Sequence, residues 1–375
     1  MSRDCPKVSR AQPLTRVKLK SVLLRALSQL NFRNLNTPRL DFGPGVTAVV
    51  GRNAAGKSNL LEAVFLGCTG ELPYGKISET VRLGESEGYV SVSVERDDGV
   101  VSTQIGLAPG RKVVRLDGQT VRTFELAKVS AAVLITPEDA DLVHGAPALR
   151  RSYLDSLLSR LSVRYALLHR EYTRVVEQRN AALKHSDPTL NVWTERFVEL
   201  GDAVNALRAR ALVKIAPIAA ETYAEISGDD KPLQVTLTGA HENLGDALLE
   251  TDLEERARGV TVVGPHRGDM LLTLGGHSVQ AYGSRGEART AALALRVAEY
   301  QLLSEKHREA PVLLLDDFTA ELDAGRREFL LRLASRAPQA VVSGTEAPPY
   351  AAAQFFISGG QVTGGLTEGQ LRAEP

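Results

Sequence analysis

Gly51-Arg52-Asn53-Ala54-Ala55-Gly56-Lys57-Ser58 is the stretch on which the fold turns. Its spacing is that of a Walker A loop, in which two glycines bracket four residues and a Lys-Ser pair follows. The apolar run Val46 to Val50 leads into it as a strand, and Asn59-Leu60-Leu61-Glu62-Ala63 leaves it as a helix. That context lets backbone amides turn inward around phosphates at a helix N-terminus. Lys57 is then placed to reach the β- and γ-phosphates of a nucleotide, and the Ser58 hydroxyl to hold Mg²⁺.

A second strand supports this reading. Pro311-Val312-Leu313-Leu314-Leu315-Asp316-Asp317 is a continuous apolar run ending in two acids, the pattern of a strand buried on both faces of a parallel sheet. It reads as a Walker B strand, with Asp316 holding Mg²⁺ and Asp317 orienting or deprotonating an attacking water. About twenty residues earlier stands Tyr282-Gly283-Ser284-Arg285-Gly286-Glu287, followed by a helical stretch from Ala291 to Leu303. The segment resembles the signature sequence of ABC-type ATPases. By that resemblance Ser284, Arg285, Gly286 and Glu287 face the nucleotide of a second subunit, and a helix N-terminus with a free hydroxyl suits an anion.

Ala320-Glu321-Leu322-Asp323 is similar to the D-loop of the same heads, with a helix cap at Asp323 as the ordinary alternative. Val341-Val342-Ser343-Gly344-Thr345 resembles the strand that carries a switch histidine in transporters, but no histidine is there. Thr345 is the candidate phosphate sensor in its place, and no Q-loop glutamine stands out.

Away from the motifs, Leu24 to Phe32 alternates as a strand, and turns at Asp98-Gly99, Pro109-Gly110 and Asp117-Gly118 predict an antiparallel meander. Ala131 to Ile135 reads as one more buried strand. Leu154, Leu157, Leu158, Leu161, Tyr165 and Leu168 recur at steps of three and four, marking one helix face from Leu154 to Tyr172. Phe197 to Ala211 repeats the spacing, and His185-Ser186-Asp187-Pro188 turns between the two, giving a short helical hairpin. The acidic, glycine-punctuated segment Ser227 to Gly259 then leads to a hairpin from Met270 to Ala281 turned by Gly275-Gly276. Trp193 reads as packing.

The chain has 375 residues and a formal charge of zero, 45 basic against 45 acidic. The charges are segregated: residues 1–40 hold nine basic residues and one acid, 150–214 twelve and seven, 215–258 three and ten. Such blocks point to local basic faces, where Arg150, Arg151, Arg160, Arg164 and Lys184 are candidates for nonspecific phosphate contacts with DNA, against the alternative of structural ion pairs. Two cysteines, Cys5 and Cys68, make no zinc site or disulfide scaffold. No run approaches the ~18 apolar residues of a membrane helix, so a cytoplasmic protein is expected.

Several further stretches resemble the RecF family. They are Leu30-Asn31-Phe32-Arg33-Asn34-Leu35, Thr136-Pro137-Glu138-Asp139, Leu142-Val143-His144-Gly145, Arg150-Arg151-Ser152-Tyr153-Leu154-Asp155 and Gly264-Pro265-His266-Arg267-Gly268-Asp269, in that order. The departures are Arg285 and Glu287 in the signature, Gly268 where an acid is usual, and the extra N-terminal segment. The resemblance implies an α/β fold, an ABC-type P-loop ATPase head with a mixed sheet and an antiparallel β subdomain, plus an inserted helical lobe without a long coiled coil. The expected divisions are a basic extension at 1–21, head at 22–137, helical lobe at 138–258 and head again at 259–375. The resemblance further implies ATP and Mg²⁺ as ligands, an ATP-dependent homodimer, slow DNA-stimulated hydrolysis, action at gapped DNA, and RecO and RecR as partners in loading RecA. The alternatives on the motifs alone are the ATPase subunit of a transporter, which the missing histidine and paired acids disfavour, and an SMC or Rad50-like head, which the short helical insertion disfavours.

Overall fold

The computed structural model describes residues 20–129, 131–241, 243–318 and 323–366. The chain opens with β1 (Lys20–Ser21), β2 (Leu23–Leu30), β3 (Arg39–Asp41) and β4 (Gly45–Val50), then enters α1 (Lys57–Thr69). A meander follows, made of β5 (Gly88–Arg96), β6 (Gly99–Ala108), β7 (Arg111–Leu116) and β8 (Gln119–Val121), and then β9 (Ala132–Ile135). Next come α2 (Asp141–His144), α3 (Pro147–Leu161), α4 (Val163–His185) and α5 (Leu190–Ser227). The chain continues through β10 (Leu233–Thr238), α6 (Leu244–Arg258), β11 (Asp269–Leu274), β12 (His277–Ser278), α7 (Val279–Tyr282) and α8 (Arg285–His307). It closes with β13 (Glu309–Ala310), β14 (Val312–Leu315), α9 (Ala324–Arg336), β15 (Gln339–Gly344), β16 (Ala353–Ser358) and β17 (Gln361–Leu366).

A six-stranded sheet of order β17-β16-β4-β15-β14-β9 forms the centre, parallel except for the β16–β17 hairpin. Its inner strands β4, β15, β14 and β9 are mostly apolar because both faces are covered, whereas β16 alternates buried and exposed residues. Alternate residues go to different sides: Val312, Leu314, Val341, Ala132 and Leu134 pack on one, Leu313, Leu315, Val342, Val133 and Ile135 on the other. On the first side lie α1 and the antiparallel sheet β3-β2-β5-β6-β7-β8. Gly67 of α1 is what allows the close approach, since a Cβ there would lie 2.4 Å from a Val92 methyl. On the second side lie α3, α4, α5, α8 and α9, whose apolar faces form one continuous cluster with the sheet.

Four expectations need correction. The helical face from Leu154 to Tyr172 belongs to two helices, because Ser162 adopts an extended conformation and its hydroxyl accepts from Tyr165 N at 3.3 Å, capping α4. The acidic segment is not mere connection: it contains β10, which pairs antiparallel with β11, and α6. The expected hairpin is therefore the outer part of a three-stranded sheet, and its second strand is only His277–Ser278 before α7 begins. At the other end, Lys20 and Ser21 pair with Glu309 and Ala310, so the last two residues of the expected extension are strand; residues 1–19 lie outside the described ones. α4 and α5, of 23 and 38 residues, are joined by a turn at 186–189, so the helical insertion is too short for a long arm. Among the described residues no helix is long and apolar enough to cross a membrane.

Gly264–Asp269 is gripped by the helices around it. Arg208 donates to Pro265 O at 2.7 Å, Arg151 to Gly268 O at 2.8 Å, and Tyr172 shares a hydrogen bond of 2.7 Å with His266 Nδ1. Burial holds the His266 imidazole down at about 4, so the folded state keeps it neutral. Between pH 6.5 and 4 the unfolded chain binds the extra proton, and stability falls as pH drops through that window. We expect His266→Asn, which keeps an acceptor for Tyr172, to flatten this slope in urea titrations at stepped pH; an unchanged slope would refute the assignment.

Candidate phosphate-binding site

The sheet order brings the loop and the acid pair to one edge. β15 lies between β4 and β14, so Gly51, Ser343 and Asp316 follow adjacent parallel strands at their carboxyl ends, where open α/β sheets bind ligands. Gly51 N donates to Gly344 O at 3.2 Å, which ties the start of the loop to β15. A side chain at Gly51 is excluded because a Cβ would sit 2.5 Å from Ile357 O. Gly56, the residue before α1, has φ of +113°, and Ala54 takes a left-handed φ of +64°. Lys57 is buried, and its Nζ donates to Gly51 O at 3.0 Å and Arg52 O at 3.2 Å. Arg52, Asn53 and Ser58 are exposed around it. Asn59 Nδ2 donates to Asn34 Oδ1 at 2.8 Å, and Asn34 also abuts Gly56. Asn34 thus belongs to the loop's wall, which no local pattern revealed.

On the acid side, Ser343 holds both carboxylate residues. Its hydroxyl donates to Asp316 Oδ1 at 2.5 Å and accepts from Asp317 N at 2.9 Å. Asp317 has φ of +47°, a left-handed conformation that Asp tolerates better than most residues. Ser343 is fully buried near the end of β15, whose middle residues Ala340, Val341 and Val342 are apolar. Thr345 is exposed, one residue past Gly344. A divalent ion of the Mg²⁺ kind needs only one or two protein oxygens beside phosphate and water. Ser58 at the start of α1 and the Oδ2 of Asp316 suit that role, and the described residues form no all-protein metal cage.

Ser284 caps α8. Its hydroxyl accepts from Glu287 N at 3.1 Å, while Glu287 Oε2 accepts from Ser284 N at 2.8 Å, a reciprocal capping box. These bonds from Ser284 lower the Glu287 pKa. Ser284 and Arg285 are exposed, and no hydrogen bond or ion pair joins residues 284–287 to the Gly51–Asn59 loop among the described residues. Arg326 locks this helix start to α9: it donates to Gly286 O at 2.7 Å and Thr290 Oγ1 at 2.8 Å, and pairs with Asp323 at 3.0 Å. Asp323 caps α9 through Arg326 N at 2.9 Å. Ala320, Glu321 and Leu322 lie outside the described residues.

The basic candidates divide. Arg150 is buried in a two-pronged pair with Asp269, at 2.8 and 2.7 Å, and also donates to Val143 O and Gly145 O. Arg160 is buried against Glu299 and Ala132 O. Neither faces solvent, so both are corrected from phosphate contacts to structural ion pairs. Arg151 is half-buried, and Arg164 and Lys184 are exposed.

The layered sheet, the phosphate loop and the acid pair at one edge define an ABC-type ATPase head. Residues 23–359 match the RecF/RecN/SMC N terminal domain family. The chain is 46% identical over 359 residues to the DNA replication and repair protein RecF of Deinococcus radiodurans, covering 94% of this chain and 98% of that one. Against the protein of the same name from Deinococcus deserti it is 46% identical over 343 residues, covering 91% and 95%. A solved structure of the recombination mediator protein RecF with ATP superposes with a TM-score of 0.86 at 29% identity, covering 93% of this chain and 99% of that one. The Smc head domain of Pyrococcus furiosus shares the fold, with a TM-score of 0.55 at 17% identity over 94% and 98% of the two chains. The chain belongs to the RecF family.

Three substitutions separate working from structural residues. Ser343→Ala leaves Asp316 and the Asp317 amide without their shared partner, a loss of about 1–3 kcal/mol for buried groups. If that loss falls on the reacting arrangement, ATP turnover drops by about ten-fold or more, which a phosphate-release assay reads directly. Arg150→Ala strands Asp269 and should cost about 3–5 kcal/mol, whereas Arg164→Ala should stay within about 0.5 kcal/mol in chemical denaturation.

Proposed function

We propose that this chain is a recombination mediator of DNA repair that binds ATP at the Gly51–Asn59 loop and uses it to pair with a second copy of itself on DNA. The observation that carries the proposal is the exposure of Ser284 and Arg285 at the start of α8, apart from the chain's own loop. A helix N-terminus whose exposed serine hydroxyl accepts from Glu287 N and still has its own proton to donate suits the terminal phosphate of a nucleotide held by another subunit. Arg326 keeps Gly286 and Asp323 in fixed relation, so the signature and the last residue of the D-loop-like stretch are held side by side. The relatives' names support the repair role, and the ATP-bound relative supports the ligand.

In this reading Lys57 turns from its carbonyl partners to the phosphates, Ser58 and Asp316 hold Mg²⁺, and Asp317 orients the attacking water. The metal, when bound, neutralises phosphate charge. Thr345 stands where a sensor of the terminal phosphate belongs. Asp317 is one methylene shorter than a glutamate, and its backbone is fixed by Ser343, so its reach toward water is limited and turnover is slow. Exposed Arg164 and Lys184, with Arg151, are the DNA contacts kept from the basic candidates. Gapped DNA, stimulation of hydrolysis by DNA, a cytoplasmic location and work with RecO and RecR in loading RecA complete the proposal. Its division of labour places the ATPase head in 22–137 and 259–375 and the lobe in 138–258.

Light scattering with and without ATP-Mg²⁺ tests the gate. Wild type should pass from monomer to dimer with ATP, Lys57→Met should neither bind nor pair, and Ser284→Arg should bind nucleotide as a monomer. The last variant also loses its helix cap, at a cost of about 1 kcal/mol, so a thermal melt must show it folded. A Ser284→Arg protein that dimerises normally would overturn the trans-acting role. Asp317→Asn should retain the ATP dimer and lose hydrolysis.

A further inference from the structure

The phosphate loop leaves two family-like stretches unused, Arg150–Asp155 and Gly264–Asp269. They converge on an open cleft of about 680 Å³ that no residue of the loop or the acid pair lines. One wall is α3, which presents Ser152, Ser156 and Ser159 in a row; α4 adds His169 and Thr173, and β7 adds Lys112 from the antiparallel sheet. Arg151 stands at the meeting point, with its single hydrogen bond to Gly268 O.

The charges in this cleft do not balance locally. Arg151 and Lys112 are both partly buried, and neither forms an ion pair; Lys112 donates only to Gly70 O. Desolvation lowers the pKa of each. Two carboxylates share the cleft, and both are engaged. Asp155 accepts two bonds from Arg208, at 2.9 and 2.8 Å, one from Tyr165, and contacts His169 Nε2 at 3.1 Å. Glu71 accepts the Ser156 hydroxyl. Glu71 acts on Lys112, and Asp269 and Asp155 on Arg151, only from beyond ion-pairing distance, so two partly buried cations on different elements line the cleft with no carboxylate in direct contact, and an anion bound between them would complete both.

We infer that this cleft is a second phosphate-binding site, separate from the nucleotide loop, formed by Arg151 and Lys112 with the α3 hydroxyls. An arginine fork, an ammonium and serine hydroxyls match a tetrahedral set of oxygens better than a planar carboxylate. Resting on the DNA-directed reading above, the phosphate is that of a DNA strand; free phosphate is the other source of the same chemistry.

The test uses full-length Lys57→Met protein, so that the nucleotide loop does not compete and the outcome is independent of ATP gating. Into this background Lys112→Gln and Arg151→Gln are introduced together. Inorganic phosphate should shift the His169 ring signals in NMR of the parent and leave them unmoved in the triple variant. Binding of a labelled single-stranded oligonucleotide should weaken at least ten-fold, and its logarithmic salt slope should fall by about 1.4, from two lost contacts at about 0.7 each. Arg151→Gln also removes the hydrogen bond to Gly268 O, so a thermal melt must show the triple variant folded. Shifted His169 signals with unchanged oligonucleotide binding would keep the phosphate site and overturn the strand as its source. Unmoved signals in the parent would overturn the site itself.

Discussion

β15 is held by a polar clamp at each end, and the rest of the head depends on it. At its start the Gln339 amide donates to Leu24 O and Gly43 O and accepts from Leu24 N, between 2.7 and 2.9 Å, stitching the parallel sheet to the antiparallel one. At its finish Ser343 and Gly344 hold the acid pair and the first glycine of the phosphate loop. Buried polar groups must find partners, and inside so apolar a sheet these few can find them only in one register. A slip of one residue would turn Ser343 away and send its neighbours to the wrong face. The reacting geometry and the packing of the core are therefore specified by the same strand.

The helical side is ordered by charge rather than by apolar patterning alone. Arg150, Arg160, Arg179, Arg208 and Arg296 each reach a carboxylate, and most add a backbone carbonyl or a hydroxyl. Arg296 joins Asp139 to Glu299, and Glu299 continues to Arg160, so α8 is tied to the end of β9 and to α3 through one buried chain. Ion pairs of this kind add little net stability, but losing one partner is costly. They fix how α8, which begins at Ser284, sits against the sheet.

Much of this was legible in the sequence wherever function demands local spacing. The glycines and Lys57 announce the loop because the backbone must turn within eight residues, and Asp316-Asp317 stand out at the end of an apolar run. Ser343 does not, since one serine in an apolar strand says nothing until β14 is known to lie beside β15. Arg150 and Arg160 looked like a basic surface because Asp269 and Glu299 stand 119 and 139 residues away along the chain. The alternation of Leu233, Val235 and Leu237 was present but masked by flanking acids and glycines, and the break at Ser162 was hidden because apolar spacing runs straight through it.

α5 carries a mechanical consequence. Its 38 residues run without interruption, a rod of about 57 Å at the usual rise. Pro217 is accommodated on the exposed side, where the carbonyl it leaves unbonded can meet water. One end begins at the exposed turn after Pro188; the other touches α9, where Glu225 pairs with Arg332 and Ile226 O approaches Gly325. Along its length the rod packs on α8. A displacement of the far turn would therefore be carried along one helix to α8 and α9, the helices capped by Ser284 and Asp323, so that turn and those two caps are mechanically connected.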